Sequence, residues 1–387
     1  MMSCSLLRPF TLLVPMVLAV SCGGGSSGSG SHGALPEPGA VASMGATHEP
    51  TILVKAGEKI QDAVDRAVEG DVIGIEPGIY HETVLVETSN ITLVGMVQDG
   101  RRPVLDGTRI ERGEAGKIEL RPDAVQARSC DNIVVEGLRM VHYQGNGVVV
   151  NDCNGVVLRD LVADKVGLYG LYPIGCRNIL IEGCVVSRCS DAGIYVGQSD
   201  GAVVRNNECF ANVAGLEIEN SSHAVVVNNS CHHNTAGILV FVLPNLQVKK
   251  GEDTVVRGNR VWANNLPNWG AKGSVVGQVP HGSGVIIIAA DRTHVIGNEI
   301  WDNDSFGIAT MSLGDMNLPG ELDVEPHSDG SRIEDNLYAG NGTRPHERLG
   351  VQKIPVGLDL IWNGQGQGNC WLEPSAKSFP PELPRCK

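Results

Sequence analysis

A glycine-led motif returns at a nearly constant interval through the middle of this 387-residue chain. Each copy is a glycine followed by alternating aliphatic residues, and the first five copies are separated by steps of 23, 23, 22 and 22 residues. A two-residue alternation is typical of β-strands. A fixed period of this length is typical of a solenoid that completes one coil per repeat. The sequence therefore predicts an all-β parallel β-helix of about 11–12 coils. The copies begin at Gly147, Gly170, Gly193, Gly215, Gly237, Gly284, Gly307 and Gly357.

A second motif, Asn-x-apolar-x-x-Asn, marks the later coils. Asparagine tolerates a left-handed backbone, and its side chain bonds nearby backbone groups, so it suits a tight corner. Asparagines at equal positions on successive coils are predicted to form a structural ladder. The copies are Asn207–Asn212, Asn229–Asn234, Asn259–Asn264, Asn298–Asn303 and Asn336–Asn341.

The interval between these asparagine motifs widens along the chain, from 22 residues to 30, 39 and 38. The extra residues are rich in Gly, Pro, Asn and charge. Insertions in a solenoid become loops, often on the binding face, so a specific function is expected beside them. The four insertions span about 243–253, 265–283, 312–330 and 342–356.

Cysteines also follow the period. Cys130, Cys153 and Cys176 are each 23 residues apart, and Cys209 and Cys231 are 22 apart. These spacings predict two columns of buried, unpaired cysteines that fill a narrow core, because free Cys behaves as a small apolar residue. Two further cysteines, Cys370 and Cys386, flank a Pro-rich tail at 370–387 and are candidates for a disulfide in an oxidising envelope.

The amino-terminal residues have the pattern of an export signal. Residues 1–21 contain Arg8 and then an apolar run too short to span a bilayer. The run ends Leu-Ala-Val-Ser-Cys22, which is similar to a bacterial lipobox, and predicts lipidation of Cys22. A Gly/Ser/Pro-rich linker at 22–50 then leads to a β-helix domain at 51–369. We therefore expect a cell-envelope protein, at the outer membrane or periplasmic face, that contacts the membrane only through its lipid anchor.

An amphipathic pattern precedes the repeats. Ile60, Ala63, Val64, Ala67 and Val68 recur at helical spacing, and Gly70 follows. We expect a short α-helix that caps the open end of the first coil. The segment Lys59-Ile-Gln-Asp-Ala-Val through Ile79-Tyr-His-Glu82 resembles the opening of many right-handed parallel β-helix proteins, including pectin-active enzymes and periplasmic copper-site accessory proteins.

Over nearly all of residues 50–363 the chain resembles a bacterial family of right-handed parallel β-helix repeat lipoproteins with a pectin-lyase-like fold. The resemblance implies the fold but no particular chemistry, because the family has no firmly assigned activity. It also implies an exported partner protein. The net charge of −14 argues against a nucleic-acid partner, which requires a basic surface.

The predicted outward side of the glycine-led strands carries candidate catalytic groups. Tyr172, Tyr195, Glu217 and Glu219 fall within three neighbouring coils. A uronate lyase needs a base, for which Lys165, Arg188 and Tyr195 are candidates. Asp191, Glu217 and Glu219 are candidate calcium ligands, because Ca²⁺ prefers hard oxygens. A glycoside hydrolase instead needs two carboxyl groups on one face, and Glu217 and Glu219 are the candidates for these. The outward side is aliphatic beyond these coils, at Leu239, Phe241, Ile286, Ile288 and Ile361, with Asp359 also expected there.

The residues five positions before each glycine are predicted to form a column along successive coils. This column is half cationic and half aromatic, and aromatic rings suit the flat faces of sugars. Its members, with Tyr172, are the candidate substrate contacts. His232 and His233 also raise the question of a metal, but neighbours on a strand point to opposite sides and are not expected to chelate together. The column comprises His142, Lys165, Arg188, Phe210 and His232, continued by Trp262 and Trp301.

These observations support two hypotheses. The first is an exported protein that binds or processes a polysaccharide as a lyase, epimerase or hydrolase, with calcium as the one cofactor considered. The second is a non-catalytic envelope lipoprotein that serves as a binding module or scaffold for a partner protein. The repeats do not distinguish between them, because one fold hosts many functions.

Overall fold

The computed structural model describes residues 48–109, 122–316, 318, 320–349 and 352–387. In this part of the chain, three long parallel sheets run the length of a β-helix, and each full coil contributes one strand to each sheet. The predicted fold class is confirmed. The signal peptide, Cys22 and most of the linker lie outside the described residues, and no helix among the described residues is long and apolar enough to cross a membrane.

Sheet A contains β1 (Ile52–Val54), β2 (Val72–Ile75), β5 (Thr92–Gly95), β8 (Ile133–Glu136), β11 (Asn154–Arg159), β14 (Arg177–Glu182), β17 (Asp200–Arg205), β20 (Val225–Val227), β23 (Val255–Arg257), β26 (His294–Ile296), β29 (Arg332–Glu334) and β34 (Cys370–Leu372). Sheet B contains β3 (Ile79–Tyr80), β6 (Val104–Asp106), β9 (Arg139–Val141), β12 (Val162–Asp164), β15 (Val185–Ser187), β18 (Glu208–Phe210), β21 (Ser230–His232), β24 (Arg260–Trp262), β27 (Glu299–Trp301) and β30 (Leu337–Ala339).

Sheet C contains β4 (Val84–Val86), β7 (Val125–Arg128), β10 (Val148–Asn151), β13 (Leu171–Ile174), β16 (Ala192–Gly197), β19 (Ala214–Glu219), β22 (Ala236–Phe241), β25 (Ser283–Ile288), β28 (Phe306–Met311), β33 (Leu360–Trp362) and β35 (Ser378–Phe379). The remaining elements are helix α1 (Ile60–Arg66), the 3₁₀ turns Gly107–Arg109, Val276–Gln278 and Leu313–Asp315, and an antiparallel pair, β31 (Arg348–Leu349) and β32 (Gln352–Lys353).

The repeating glycine is required by a close approach between coils. A Cβ on Gly193 would lie 2.8 Å from the Asn212 side-chain nitrogen and 2.9 Å from the carbonyl oxygen of Gly215 on the next coil. Only glycine therefore fits at position 193, where the start of β16 packs against the next coil. Gly357 does not join this column, because Ile308 pairs with Leu360 and thus places Asp359 beside Gly307. The expectation that Asp359 lies on the outward face is wrong.

The asparagine motif forms two buried ladders, as predicted. Asn259 donates from Nδ2 to the Asn298 Oδ1 at 3.0 Å and to the Val226 carbonyl at 2.9 Å. Its own Oδ1 accepts from the backbone N–H of Asn229 at 2.9 Å. Asn264 makes the same three kinds of bond in the second ladder. Asp359 ends that second ladder by accepting from Asn341 at 3.1 Å. These bonds satisfy polar groups at a corner that water cannot reach.

The cysteine predictions also agree with the structure. Cys130, Cys153 and Cys176 are buried and unpaired, as are Cys209 and Cys231. The Sγ atoms of Cys130 and Cys153 lie 3.8 Å apart in their column. Cys370 and Cys386 form a disulfide that ties the carboxyl-terminal tail to the last strand of sheet A.

The predicted capping helix is α1, which buries Ile60, Ala63 and Val64 against the first coil. The Glu82 carboxylate accepts from the backbone N–H groups of Ile60 and Gln61 at 2.9 and 3.0 Å. A carboxylate at a helix amino terminus satisfies unpaired donors. The helix is shorter than its periodic pattern, because Ala67 adopts an extended backbone and Val68 is 67% exposed.

The four insertions lie at the two edges of sheet C. Residues 243–253 and 312–330 follow strands β22 and β28, whereas 265–283 and 342–356 precede β25 and β33. Loop residues that pack on the apolar core include Leu243, Val279, Met316, Val324 and Ile354. As a result, the outward residues of the later sheet C strands are buried: Leu239, Phe241, Ile286 and Ile288.

Candidate active site

The outer face of sheet C changes character along the helix axis. Over β7 and β10 it is partly exposed, as at Val149 and Asn151. From β19 onward it lies beneath the loops, and Leu239 is 4% exposed. Between these regions lies a group of tyrosines and carboxyl groups, which we call the tyrosine–carboxyl cluster. Its members are Tyr169, Tyr172, Asp191, Tyr195, Glu217 and Glu219.

Three tyrosines form one side of the cluster. The ring centroid of Tyr169 lies 4.6 Å from that of Tyr172 and 4.7 Å from that of Tyr195, and the Tyr172 and Tyr195 centroids are 4.9 Å apart. Tyr195 is 4% exposed, whereas Tyr169 and Tyr172 are half-buried. The packed rings therefore present a partly accessible aromatic surface next to the carboxyl groups.

Gly197 creates the space in which the Tyr195 ring lies. A Cβ on Gly197 would stand 2.6 Å from the Tyr195 hydroxyl oxygen and 2.7 Å from its Cζ. The ring consequently lies back along its own strand, over residue 197. Gly197 pairs with Glu219 on the adjacent strand, so this orientation brings the phenol hydroxyl to the Glu219 side chain.

The carboxyl groups form the other side of the cluster. Glu217 and Glu219 are two residues apart on β19, share its outward face, and are 3% and 9% exposed. Burial raises the pKa of Glu219 to about 7, and the Tyr195 hydroxyl partly offsets this rise. Burial raises the pKa of Glu217 well above its usual range, and the charges of Asp191 and Glu219 add to this effect.

Asp191 lies at the corner that precedes β16 and is half-buried as a residue. Burial of its carboxyl group raises the pKa to about 7, although the Tyr169 side chain and the backbone N–H of Ala192 lower it. The Oδ1 atom is buried and has no hydrogen-bond partner among the described residues. A buried carboxylate oxygen without a hydrogen-bond partner is rare.

The predicted basic residues do not join this cluster. The Arg188 Nε donates to the Asp164 Oδ1 at 2.7 Å on sheet B, and His142 pairs with the Asp106 Oδ1 at 3.2 Å. Lys165 is exposed at the corner between sheets B and C. Among the described residues, no Lys, Arg or His contributes to the pKa shifts of the three carboxyl groups.

The predicted cationic and aromatic column is in fact two columns. Phe210, His232, Trp262 and Trp301 are register partners on sheet B, whereas Lys165 and Arg188 occupy the left-handed corner position one residue later. Ser187 pairs with Phe210 at a step of 23, but Ile194 pairs with Leu216 at a step of 22. The later coil is therefore one residue shorter at this corner. The position five residues before the glycine is a corner residue on the earlier coils but the last strand residue on the later coils.

The calcium prediction finds no support. In the part of the chain that the structure describes, no group of three or more His, Cys, Asp and Glu residues could hold a metal ion. Asp191, Glu217 and Glu219 form an acidic cluster, and their role as calcium ligands stays a prediction.

Tyr169 and Gly197 are the members of this site that sequence reasoning missed. Tyr169 precedes the glycine of its repeat and was therefore outside the alternating strand positions that were examined. The spacing Tyr169-x-x-Tyr172 was the available signal, since a residue just before the strand lies close to its second outward position. The role of Gly197 depends on the orientation of the Tyr195 ring, which the sequence pattern does not indicate.

Comparisons with known proteins support the fold. Residues 123–265 match the model of the right handed beta helix region. The chain has a right-handed parallel β-helix of the pectin-lyase-like type. No curated protein matches the chain in sequence.

Solved structures with a similar fold include an alginate lyase from Paenibacillus sp. str. FPU-7, which is 15% identical with a TM-score of 0.53, over 82% of this chain and 99% of that chain. A DFA-IIIase variant from Arthrobacter chlorophenolicus A6 is 13% identical with a TM-score of 0.51, over 84% and 92% of the two chains. A mannuronan C-5 epimerase A-module from Azotobacter vinelandii is 15% identical with a TM-score of 0.47, over 81% and 92%. At these identities the likeness shows the fold alone.

Proposed function

We propose that the protein is a polysaccharide-processing enzyme that hydrolyses glycosidic bonds at the tyrosine–carboxyl cluster. The observation that carries this proposal is the set of three carboxyl groups with raised pKa values, Asp191, Glu217 and Glu219, beside a partly accessible aromatic surface. Glycoside hydrolysis needs one protonated and one ionised carboxyl group on the same face. Pairs of titratable groups with different pKa values identify the acid and the base.

The pKa values assign the roles. Burial and the neighbouring charges raise the pKa of Glu217 well above its usual range, so we assign it as the general acid that protonates the leaving oxygen. Asp191, which is half-buried and has a pKa of about 7, is the base that activates water. Glu219, held by Tyr195, maintains the local charge that keeps Glu217 protonated. The half-buried tyrosine rings provide the flat apolar surface against which a sugar ring stacks.

A lyase or epimerase reaction on a uronate is less well supported by the site. Such reactions stabilise negative charge that develops beside the substrate carboxylate, and a cation or metal ion is the usual means. The described residues supply neither at the cluster. The carboxyl groups themselves would repel an anionic substrate when ionised.

Export and lipid anchoring remain part of the proposal. The disulfide between Cys370 and Cys386 supports an oxidising compartment, because disulfides are rare in the cytosol. The lipobox-like sequence that ends at Cys22 supports an anchor at the cell envelope. An exported partner protein rests only on the resemblance of the repeats, and co-purification with a chromosomal neighbour would test it.

The experiment is a screen of the purified protein against neutral and acidic polysaccharides, with detection of new reducing ends and of unsaturated uronate products. We expect reducing ends without unsaturated products. Glu217→Gln should abolish the activity while leaving the melting temperature at neutral pH equal to or above that of the wild type. Binding of a polysaccharide without cleavage would favour the alternative of a non-catalytic envelope module.

A further inference from the structure

Two histidines that are adjacent in sequence turn toward each other on sheet B. His232 ends β21 with an outward side chain, and His233 follows at a corner with a left-handed φ of 52°. Consecutive strand residues point to opposite sides, but the left-handed backbone of His233 removes this separation. Their Nδ1 atoms lie 2.9 Å apart, and the ring planes cross at 87°. The sequence-based expectation that these two side chains point to opposite sides is therefore wrong.

His232 is held in place on three sides. Its ring stacks between Phe210, at 5.4 Å and 6°, and Trp262, at 4.2 Å and 19°. Its Nε2 lies 3.1 Å from the Glu208 Oε1. A carboxylate on the far ring nitrogen is the usual partner of a metal-binding histidine, because it fixes the tautomer and the ring orientation. Here it leaves the His232 Nδ1 to accept a 2.9 Å hydrogen bond from the His233 Nδ1. A metal ion between the two nitrogens would replace that hydrogen bond, with the proton of His233 then carried on Nε2.

His233 supplies the second nitrogen. Its ring is half-buried, so it remains accessible from solvent. The neutral imidazole is the form that binds metal ions.

We propose that the Nδ1 atoms of His232 and His233 bind one divalent transition-metal ion, with Glu208 orienting His232 from outside the coordination sphere. Among the described residues, no third His, Cys, Asp or Glu completes a larger ligand group, so water fills the other positions. The site lies on sheet B and is independent of the tyrosine–carboxyl cluster on sheet C.

The ligand type indicates which metal the site prefers. Cu²⁺ binds nitrogen ligands most tightly among the divalent first-row ions. The ion that the site prefers is thus Cu²⁺.

Trp262 provides the readout, because bound Cu²⁺ quenches the fluorescence of a nearby indole and Trp262 stacks directly on His232. The untagged, full-length protein is titrated with Cu²⁺ and with Zn²⁺ in a buffer that does not bind metals, and binding is followed by calorimetry and by tryptophan fluorescence. We expect one Cu²⁺ per chain, bound more tightly than Zn²⁺, with strong quenching.

Variants identify the ligands. His233→Asn, in which asparagine tolerates the left-handed backbone, should weaken Cu²⁺ binding at least tenfold, and Glu208→Gln should weaken it about tenfold. Trp262→Phe should reduce the quenching but keep the stoichiometry. His223→Ala is the matched control, since His223 is exposed and pairs with Asp200, and it should change neither. Absence of Cu²⁺ binding, unchanged binding in a folded His233→Asn protein, or tighter binding of Zn²⁺ would overturn the proposal.

Discussion

The ring of Tyr195 lies over the α-carbon of Gly197, so that the phenol hydroxyl occupies space that any larger residue at position 197 would fill. This relationship joins the scaffold to the site. The flat stacking of strands makes Gly197 a neighbour of Glu219, and the absent side chain allows the tyrosine to reach that carboxyl group. The absence of a side chain at position 197 thus determines the orientation of the Tyr195 ring.

The substitution Gly197→Ala tests this arrangement. The added methyl group must displace the Tyr195 ring, and we expect a stability loss of about 1–3 kcal/mol from overpacking together with a large loss of catalytic rate. Urea unfolding and turnover on the substrate found by the screen measure the two effects. Gly314→Ala is the control, because a Cβ at position 314 meets no atom within 4 Å. Equal turnover in both variants would mean that the position of Tyr195 is unimportant.

The buried carboxyl groups predict a dependence of stability on pH. Glu219 has a pKa of about 7 in the folded state, against an ordinary pKa of 4.5, so the folded state binds its proton more tightly than the unfolded state does. Its contribution to stability is fully present below pH 4.5 and is lost as pH rises through 7, by about 3 kcal/mol. Glu219→Gln cannot titrate, so the free energy of unfolding of the variant should fall less than that of the wild type over this range.

Other acids contribute with the opposite sign. Glu182, for example, has its pKa lowered by Arg159 and Arg205 despite its burial, so the difference between wild type and variant is the informative quantity. Glu299→Gln, at an exposed position, serves as the control and should follow the wild-type curve. Parallel curves for wild type and Glu219→Gln would show that Glu219 titrates normally.

The asparagine ladders predict a large and local effect on stability. Asn259→Ala removes the bonds to Asn298 and to the Val226 carbonyl and leaves the Asn229 N–H without a partner in a buried corner. A buried unsatisfied group costs about 1–3 kcal/mol and each lost hydrogen bond about 1 kcal/mol, so we expect a loss of about 3–5 kcal/mol by urea unfolding. Asn154→Ala is the comparison: Asn154 is exposed and accepts one bond from Asn178 at 2.7 Å, and water replaces that bond. A similar loss in both variants would contradict this explanation.

Much of the scaffold was predictable, because each coil repeats the same packing problem. The period, the asparagine ladders, the cysteine columns and the loop positions all follow from residues that occupy equal positions on successive coils. The prediction failed where a coil changed length. The corner between Phe210 and Leu216 is one residue shorter than the corner between Ser187 and Ile194, and this separated two columns that the sequence suggested were one. A turn at Gly357 moved Asp359 from the outward face to the end of a ladder.

The site was only half predictable for a different reason. Alternation placed Tyr195, Glu217 and Glu219 on one outward face, which the structure confirms. It could not show that loops distant in sequence would bury that face and shift the carboxyl pKa values. It also treated His233 as a strand residue, whereas its left-handed corner conformation turns its ring toward His232.

The most direct test of the proposed hydrolysis is to run the reaction in ¹⁸O-labelled water and weigh the products by mass spectrometry. Hydrolysis by a carboxyl-activated water places one labelled oxygen in each product pair, and the signal should disappear with Glu217→Gln. We predict one ¹⁸O atom per bond cleaved. Cleavage products that carry no label and contain an unsaturated sugar would contradict the account, because they would show elimination at this site.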